Sequence, residues 1–136
     1  MKKYIDLAFG YAVAAIACGV FYREFTKFHQ FDGRTALGFA HPHLLVLGAL
    51  VFLLVALFVR HTPLAGQKLF RPFLVTYNIG LPLTAAMFFV RGIPQVLGTP
   101  LTGAASAAVS GVAGIGHTLV TLGLVFLFLS LRRSAD

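Results

Sequence analysis

Four long apolar runs, separated by short polar stretches, organise this chain. They cover residues 4–22, 36–59, 69–90 and 104–131, and the intervening stretches are 23–35, 60–68 and 91–103. At 1.5 Å per residue, each run is long enough to cross a hydrocarbon layer about 30 Å thick. No alternating apolar–polar pattern of a barrel strand occurs, so only helices can satisfy the backbone inside lipid. Asp32-Gly33, Thr62-Pro63 and the prolines Pro94 and Pro100 supply turn signals between the runs. The pattern predicts an all-α integral membrane fold: four transmembrane helices, up-down, in one domain spanning 1–136.

Composition removes the alternatives. Of 136 residues, 58% are hydrophobic and only 11% are charged, with a mean hydropathy of +0.86. A soluble domain carries about a quarter charged residues, so this chain lacks the polar groups to cover an apolar core in water. Disorder is excluded by the same balance. Cys18 is the single cysteine, which rules out an intrachain disulfide and a cysteine-based metal site. The first run follows Met1-Lys2-Lys3 without a cleavage pattern, and it reads as an uncleaved helix.

The net charge of +7 would suggest nucleic acid in a soluble protein. Here the basic residues cluster at the ends of the runs, where they set topology and meet lipid headgroups. Lys2, Lys3, Arg60, Lys68, Arg71, Arg132 and Arg133 fall on the side of the termini, against Arg23, Lys27, Arg34 and Arg91 on the other. Seven against four places both termini in the cytoplasm.

Histidine carries the chemical information. His29 and His61 lie in polar stretches, where a solvated imidazole is the ordinary outcome. His41, His43 and His117 fall within the spans, where polar residues face a protein interior and carry function, or hydrogen-bond to a neighbouring helix. At 100° per residue, His41 and His43 stand about 160° apart on one helix. A single zinc or copper ion prefers two histidines at i and i+3 or i+4, so the pair suits two different partners at similar depth, such as two haems or one haem shared across a subunit boundary. Pro42 between them can distort the helix. His117 is expected about 20 Å into the fourth helix, against about 10 Å for His43 in the second. That ranks His41 and His43 first as ligands and His117 second.

Other features fit a buried planar cofactor and have simpler explanations too. Gly111-Val112-Ala113-Gly114-Ile115-Gly116-His117 gives a small-residue surface that admits a macrocycle or a close helix. Arg23, Arg34 and Arg91 sit at the outer span ends, where haem propionates would point and where arginines also snorkel to the interface. Tyr77-Asn78 and Pro82 suggest an interhelical hydrogen bond and a kink in the third helix. Tyr22-Arg23-Glu24 offers a local ion pair.

Over nearly its whole length the chain resembles a small bacterial membrane family, the domain of unknown function number 2871. The likeness rests on Phe21-Tyr22-Arg23-Glu24-Phe25-Thr26-Lys27-Phe28, His41-Pro42-His43-Leu44-Leu45-Val46-Leu47-Gly48, Tyr77-Asn78-Ile79-Gly80-Leu81, Gln95-Val96-Leu97-Gly98 and Ser110-Gly111-Val112-Ala113-Gly114-Ile115-Gly116-His117. Pro42 stands where the family pattern has threonine. The resemblance implies the bacterial inner membrane and no assigned activity. A more distant likeness is to one four-helix unit of the haem–copper oxidase catalytic subunit, whose second helices carry haem and copper ligands, one with a His-x-His pair on two haems. That likeness implies a homotrimer with haem between subunits, His41 of one facing His43 of the next, and Arg91 near the propionates.

The expected function is therefore a membrane b-type haem protein with two axial histidines, serving electron transfer or haem and redox sensing with an unidentified redox partner. Two axial histidines leave iron no open position, so no catalytic residue is assigned and an enzyme is not favoured. The absence of a CXXCH motif means that any haem is held non-covalently. Two rivals remain: a copper or zinc binding or transport protein using the same histidines, and a structural or channel-like homo-oligomer without a cofactor.

Overall fold

The computed structural model describes residues 1–135; residue 136, the last of the expected domain, lies outside them. Four helices are long and apolar enough to cross a membrane: α1 Lys2–Phe28, α2 Ala36–His61, α3 Phe70–Val96 and α4 Gly103–Ser134. No strand occurs among the described residues. Tyr4 packs on Phe70 and Phe21 on Phe89, so α1 and α3 run in the same direction. Gly48 faces Tyr11 and Gly80 faces Gly116 and Val120, so α2 and α4 run against them. The bundle is up-down, with the chain termini at one end. The other end is called distal below.

Each helix is longer than its apolar run. α1 continues through Arg23 and Lys27 to Phe28, and α3 through Arg91 and Pro94 to Val96. In α1 the flanking Arg23, Glu24 and Lys27 are good helix formers, whereas the α3 extension runs through Gly92 and Pro94 and is held by its contacts and hydrogen bonds to Thr35, Ala36 and Leu37. Pro82 and Pro94 both lie inside α3, which continues past each of them.

α2 is the irregular helix. It opens with 3-10 turns over Ala36–Phe39, passes through an α turn at Ala40–His43, widens into π turns over Leu44–Leu50, and closes as regular α-helix over Val51–His61. Pro42 has no N–H to give the carbonyl one turn back, which loosens the first part. At Gly48 a Cβ would stand 2.5 Å from Tyr11 Cγ, so only glycine lets α1 approach this closely. The Tyr77 hydroxyl donates to the Leu47 carbonyl at 2.8 Å, satisfying an acceptor inside the widened stretch. Tyr11 in turn donates to Asn78 Oδ1 at 2.9 Å, the interhelical bond expected of that asparagine.

The core is aromatic: Tyr4, Phe52, Phe70, Phe73 and Tyr77 are buried and touch in sequence along α1, α2 and α3. α4 lies chiefly along α3. There a Cβ on Gly80 would meet Leu119 Cβ at 2.7 Å and the Gly116 carbonyl at 2.8 Å, so the two backbones are in direct contact. This seat fixes the height of α4 and, with it, of His117.

Candidate functional site

His41 and His43 leave α2 on opposite sides. His41 turns to α1, where its Nδ1 lies 2.8 Å from the Ala15 carbonyl and 3.1 Å from the position of a Cβ on Gly19. A side chain at position 19 would press on the imidazole. His43 turns the other way, to α3 and α4. Its ring centre is 4.8 Å from that of Phe88 and 6.2 Å from that of His117.

All three imidazoles are held alike. His43 Nδ1 lies 2.8 Å from the Phe39 carbonyl and His117 Nδ1 lies 2.9 Å from the Ala113 carbonyl. A carbonyl only accepts, so each Nδ1 carries the proton and each Nε2 keeps its lone pair. A backbone carbonyl on the second nitrogen is the usual outer-shell support of a metal-ligating histidine, fixing tautomer and ring orientation.

The structure thus brings His43 together with His117 and separates His41 from both. The distances along the helices are as expected, roughly 21 Å along α4 for His117 and about 10 Å along α2 for His43, but the difference in level inferred from them does not hold, because both rings contact Phe88. α4 starts farther out than α2, because the Gly80–Gly116 seat sets its height. Counting residues from a helix start cannot reveal that offset.

His117 is exposed and His43 half-buried on this side of the bundle. Beside them lies a recess of about 380 Å³, lined by Phe39, Met87, Phe88, Arg91, Ser110 and His117 among others. Gly111 and Gly114 on α4 have nothing within 4 Å of their Cβ positions, so the small-residue face beside His117 is open.

Arg34 and Arg91 border one cleft, and Arg23 stands apart from it. Arg91 crosses to α4, donating to Ser110 Oγ at 2.6 Å and to the Ser106 carbonyl at 3.3 Å, at the distal edge of the recess. Arg34 lines a second cleft at the distal end. Arg23 is exposed and stands 3.9 Å from Glu24, away from both cavities; an exposed pair of this kind adds little. His29 bonds the Phe25 carbonyl at the end of α1, and His61 ends α2 at the terminal side. Phe88, which sequence reasoning passed over as one phenylalanine among 14, is the side chain that links His43 and His117. No residue-level pattern marked it.

Among the described residues, no group of three or more His, Cys, Asp or Glu side chains converges to hold a metal ion. Two imidazoles on one six-coordinate iron stand about 6 Å apart between ring centres, given metal–nitrogen bonds of about 2 Å. The His43–His117 separation fits that donor set. The three ring separations put the midpoint of the imidazole pair roughly 4.7 Å from the Phe88 ring centre, within van der Waals reach of a macrocycle edge. Phe88 is therefore the residue that must yield to a planar group at this place.

No curated protein and no solved structure matches the chain. A family model described as "Protein of unknown function (DUF2871)" matches residues 1–134. With all but two residues of the chain inside that match, the protein is a member of the DUF2871 family.

Proposed function

We propose that this protein binds haem b in the membrane through histidine ligands and serves electron transfer or haem and redox sensing. The observation that carries the reading is the His43–His117 pair. The two imidazoles have bare Nε2 atoms, carbonyl-anchored Nδ1 atoms and a separation of 6.2 Å between ring centres. His43 and His117 would hold the haem iron, and a bound haem would supply one-electron chemistry.

The chain's own residues divide the remaining work. The Phe39 and Ala113 carbonyls hold the proton of each imidazole on Nδ1 and aim Nε2 outward. Phe88 lies against both imidazoles and sets how much room a planar group has between them. Arg91 stands at the distal edge of the recess, where it favours anionic groups on whatever the recess admits. His41 sits on the other side of α2, half-buried against Ala15 and Gly19 of α1, and takes no part in this pair. A homotrimer is the assembly we favour. The distal end is assigned to the outside of the bacterial inner membrane, with both termini cytoplasmic.

A copper or zinc site is the second reading. The same pair offers two neutral imidazoles, and a small ion requires no movement of Phe88. Its remaining ligands would come from water or from a second copy. Metal analysis together with a visible spectrum of protein purified from haem-replete cells separates the two. Iron in the stoichiometry of haem supports the first reading, and copper or zinc without haem supports the second.

A further inference from the structure

We propose that the cleft between Arg34 and Arg91 is a phosphate-recognition site at the distal membrane surface, built to take a phosphate-bearing headgroup. The cleft has a volume of about 560 Å³, and its lining includes Tyr22, Arg34, Thr35, Phe39, Arg91 and Gln95. It collects the end of α1, the start of α2 and the end of α3, which is the level at which lipid phosphates lie.

Charge is the first argument. Arg34 and Arg91 both line the cleft and no acidic side chain does. The only ion pair among the described residues is Arg23 with Glu24, outside it. Arg91 is held by the neutral acceptors Ser106 and Ser110, so neither cation has a counter-charge, and an arrangement of this sign is relieved by an anion. Guanidinium groups match phosphate oxygens with paired, directional hydrogen bonds.

The second argument is the backbone. α2 begins at this cleft, so the positive end of a 26-residue helix faces it. Its start is held firmly. Thr35 Oγ1 donates to the Gly92 carbonyl at 2.9 Å in a buried bond, and the Ala36 N–H donates to Gln95 Oε1 at 2.8 Å. These bonds fix the cleft walls before any ligand arrives. The first N–H groups are thus already used, and α2 contributes its field rather than donors.

The third argument is the cleft mouth. Phe39 is 57% exposed there, an apolar wall next to two cations. That juxtaposition suits an amphipathic ligand with a phosphate at the water boundary and hydrocarbon beneath it. The cleft shares Phe39 and Arg91 with the recess beside His117 but does not include His43 or His117, so R34Q, which lies outside that recess, tests the phosphate reading apart from the haem reading.

The test uses the full-length protein in dodecyl maltoside micelles, which carry no phosphate. Phosphatidylglycerol is titrated into one set and inorganic phosphate into another, with binding followed by phosphorus NMR. R34Q, R34K, R91Q and R23Q are compared with wild type. Arg34 is exposed and unpaired, so R34Q leaves the fold intact, whereas R91Q also removes the bonds to Ser106 and Ser110. The expected result is saturable binding of one phosphate group per chain, weakened at least fivefold by R34Q and by R91Q. R34K retains part of that binding, and R23Q retains all of it. Saturation by phosphatidylglycerol alone assigns the site to lipid, and equal saturation by inorganic phosphate assigns it to a soluble phosphate. Binding that is absent in both sets, or equally weakened by R23Q and R34Q, overturns the proposal.

Discussion

Replacing Gly80 with alanine places a methyl group 2.7 Å from Leu119 Cβ and 2.8 Å from both the Gly116 carbonyl oxygen and the Val120 nitrogen. Two of these three neighbours are backbone atoms, which cannot rotate away. Ordinary contact requires about 3.4 Å or more, so α3 and α4 must separate by roughly 0.6 Å along this seat. A gap of that size forfeits a quarter or more of the dispersion energy of each facing contact, and overpacking of this kind costs about 1–3 kcal/mol. Gly111, on the open face of α4, has nothing within 4 Å of its Cβ position. There the same substitution gains helix propensity and loses no contact, for a change between zero and about 1 kcal/mol in favour of the variant. Equilibrium unfolding in mixed micelles with increasing SDS measures both. The expected outcome is a loss of about 2 kcal/mol for G80A and none for G111A. Because Gly116 precedes His117 in α4, G80A also moves His117 relative to His43 and Phe88, so cofactor retention falls with stability. Equal stability of G80A and wild type would refute the claim that this backbone contact sets the height of α4.

Other substitutions probe different parts of the account. F88A opens the rim between His43 and His117 and raises haem occupancy after reconstitution, whereas F88W fills the same space and lowers it, both read by absorbance per mole of protein. T35V removes a buried hydrogen bond to the Gly92 carbonyl while keeping the shape of the side chain. It costs about 1 kcal/mol in the SDS titration, and an unchanged midpoint counts against the clamp between α2 and α3. Y77F strips the donor from the Leu47 carbonyl in the π-helical stretch and costs about 0.6–1 kcal/mol; G48A costs more, because its methyl would strike the Tyr11 ring.

Hydrophobic pattern made the four helices and their up-down order legible, since lipid allows few other solutions for runs of this length. Helix ends were less legible. Arg23, Lys27, Arg91 and Pro94 look like loop residues by polarity or chemistry, yet they remain helical: Arg23 and Lys27 are good helix formers, and the α3 extension is held by its bonds to Thr35 and Ala36. The π-helical turns of α2 lie where Tyr11 packs on Gly48 and Tyr77 bonds the Leu47 carbonyl, tertiary contacts that no local pattern shows, whereas the missing N–H at Pro42, visible locally, bears on the turn before them. The opposite orientation of His41 and His43 followed from helical geometry. Their partners did not: His117 reaches the level of His43 because two glycines, Gly80 and Gly116, bring distant helices into register. Arg23 and Arg34 read alike along the chain and both are exposed, and only the fold shows that Arg34 borders a cleft and Arg23 does not.

The central claim is that His43 and His117 together hold haem. The direct measurement is the visible spectrum, oxidised and reduced, of protein purified from haem-replete cells, for wild type, H43A, H117A and H41A. The account predicts a six-coordinate low-spin spectrum in wild type that is lost or converted to a five-coordinate form in both H43A and H117A, with H41A retaining that coordination. A colourless, iron-free wild-type protein, or a spectrum that survives unchanged in H43A and H117A, contradicts it.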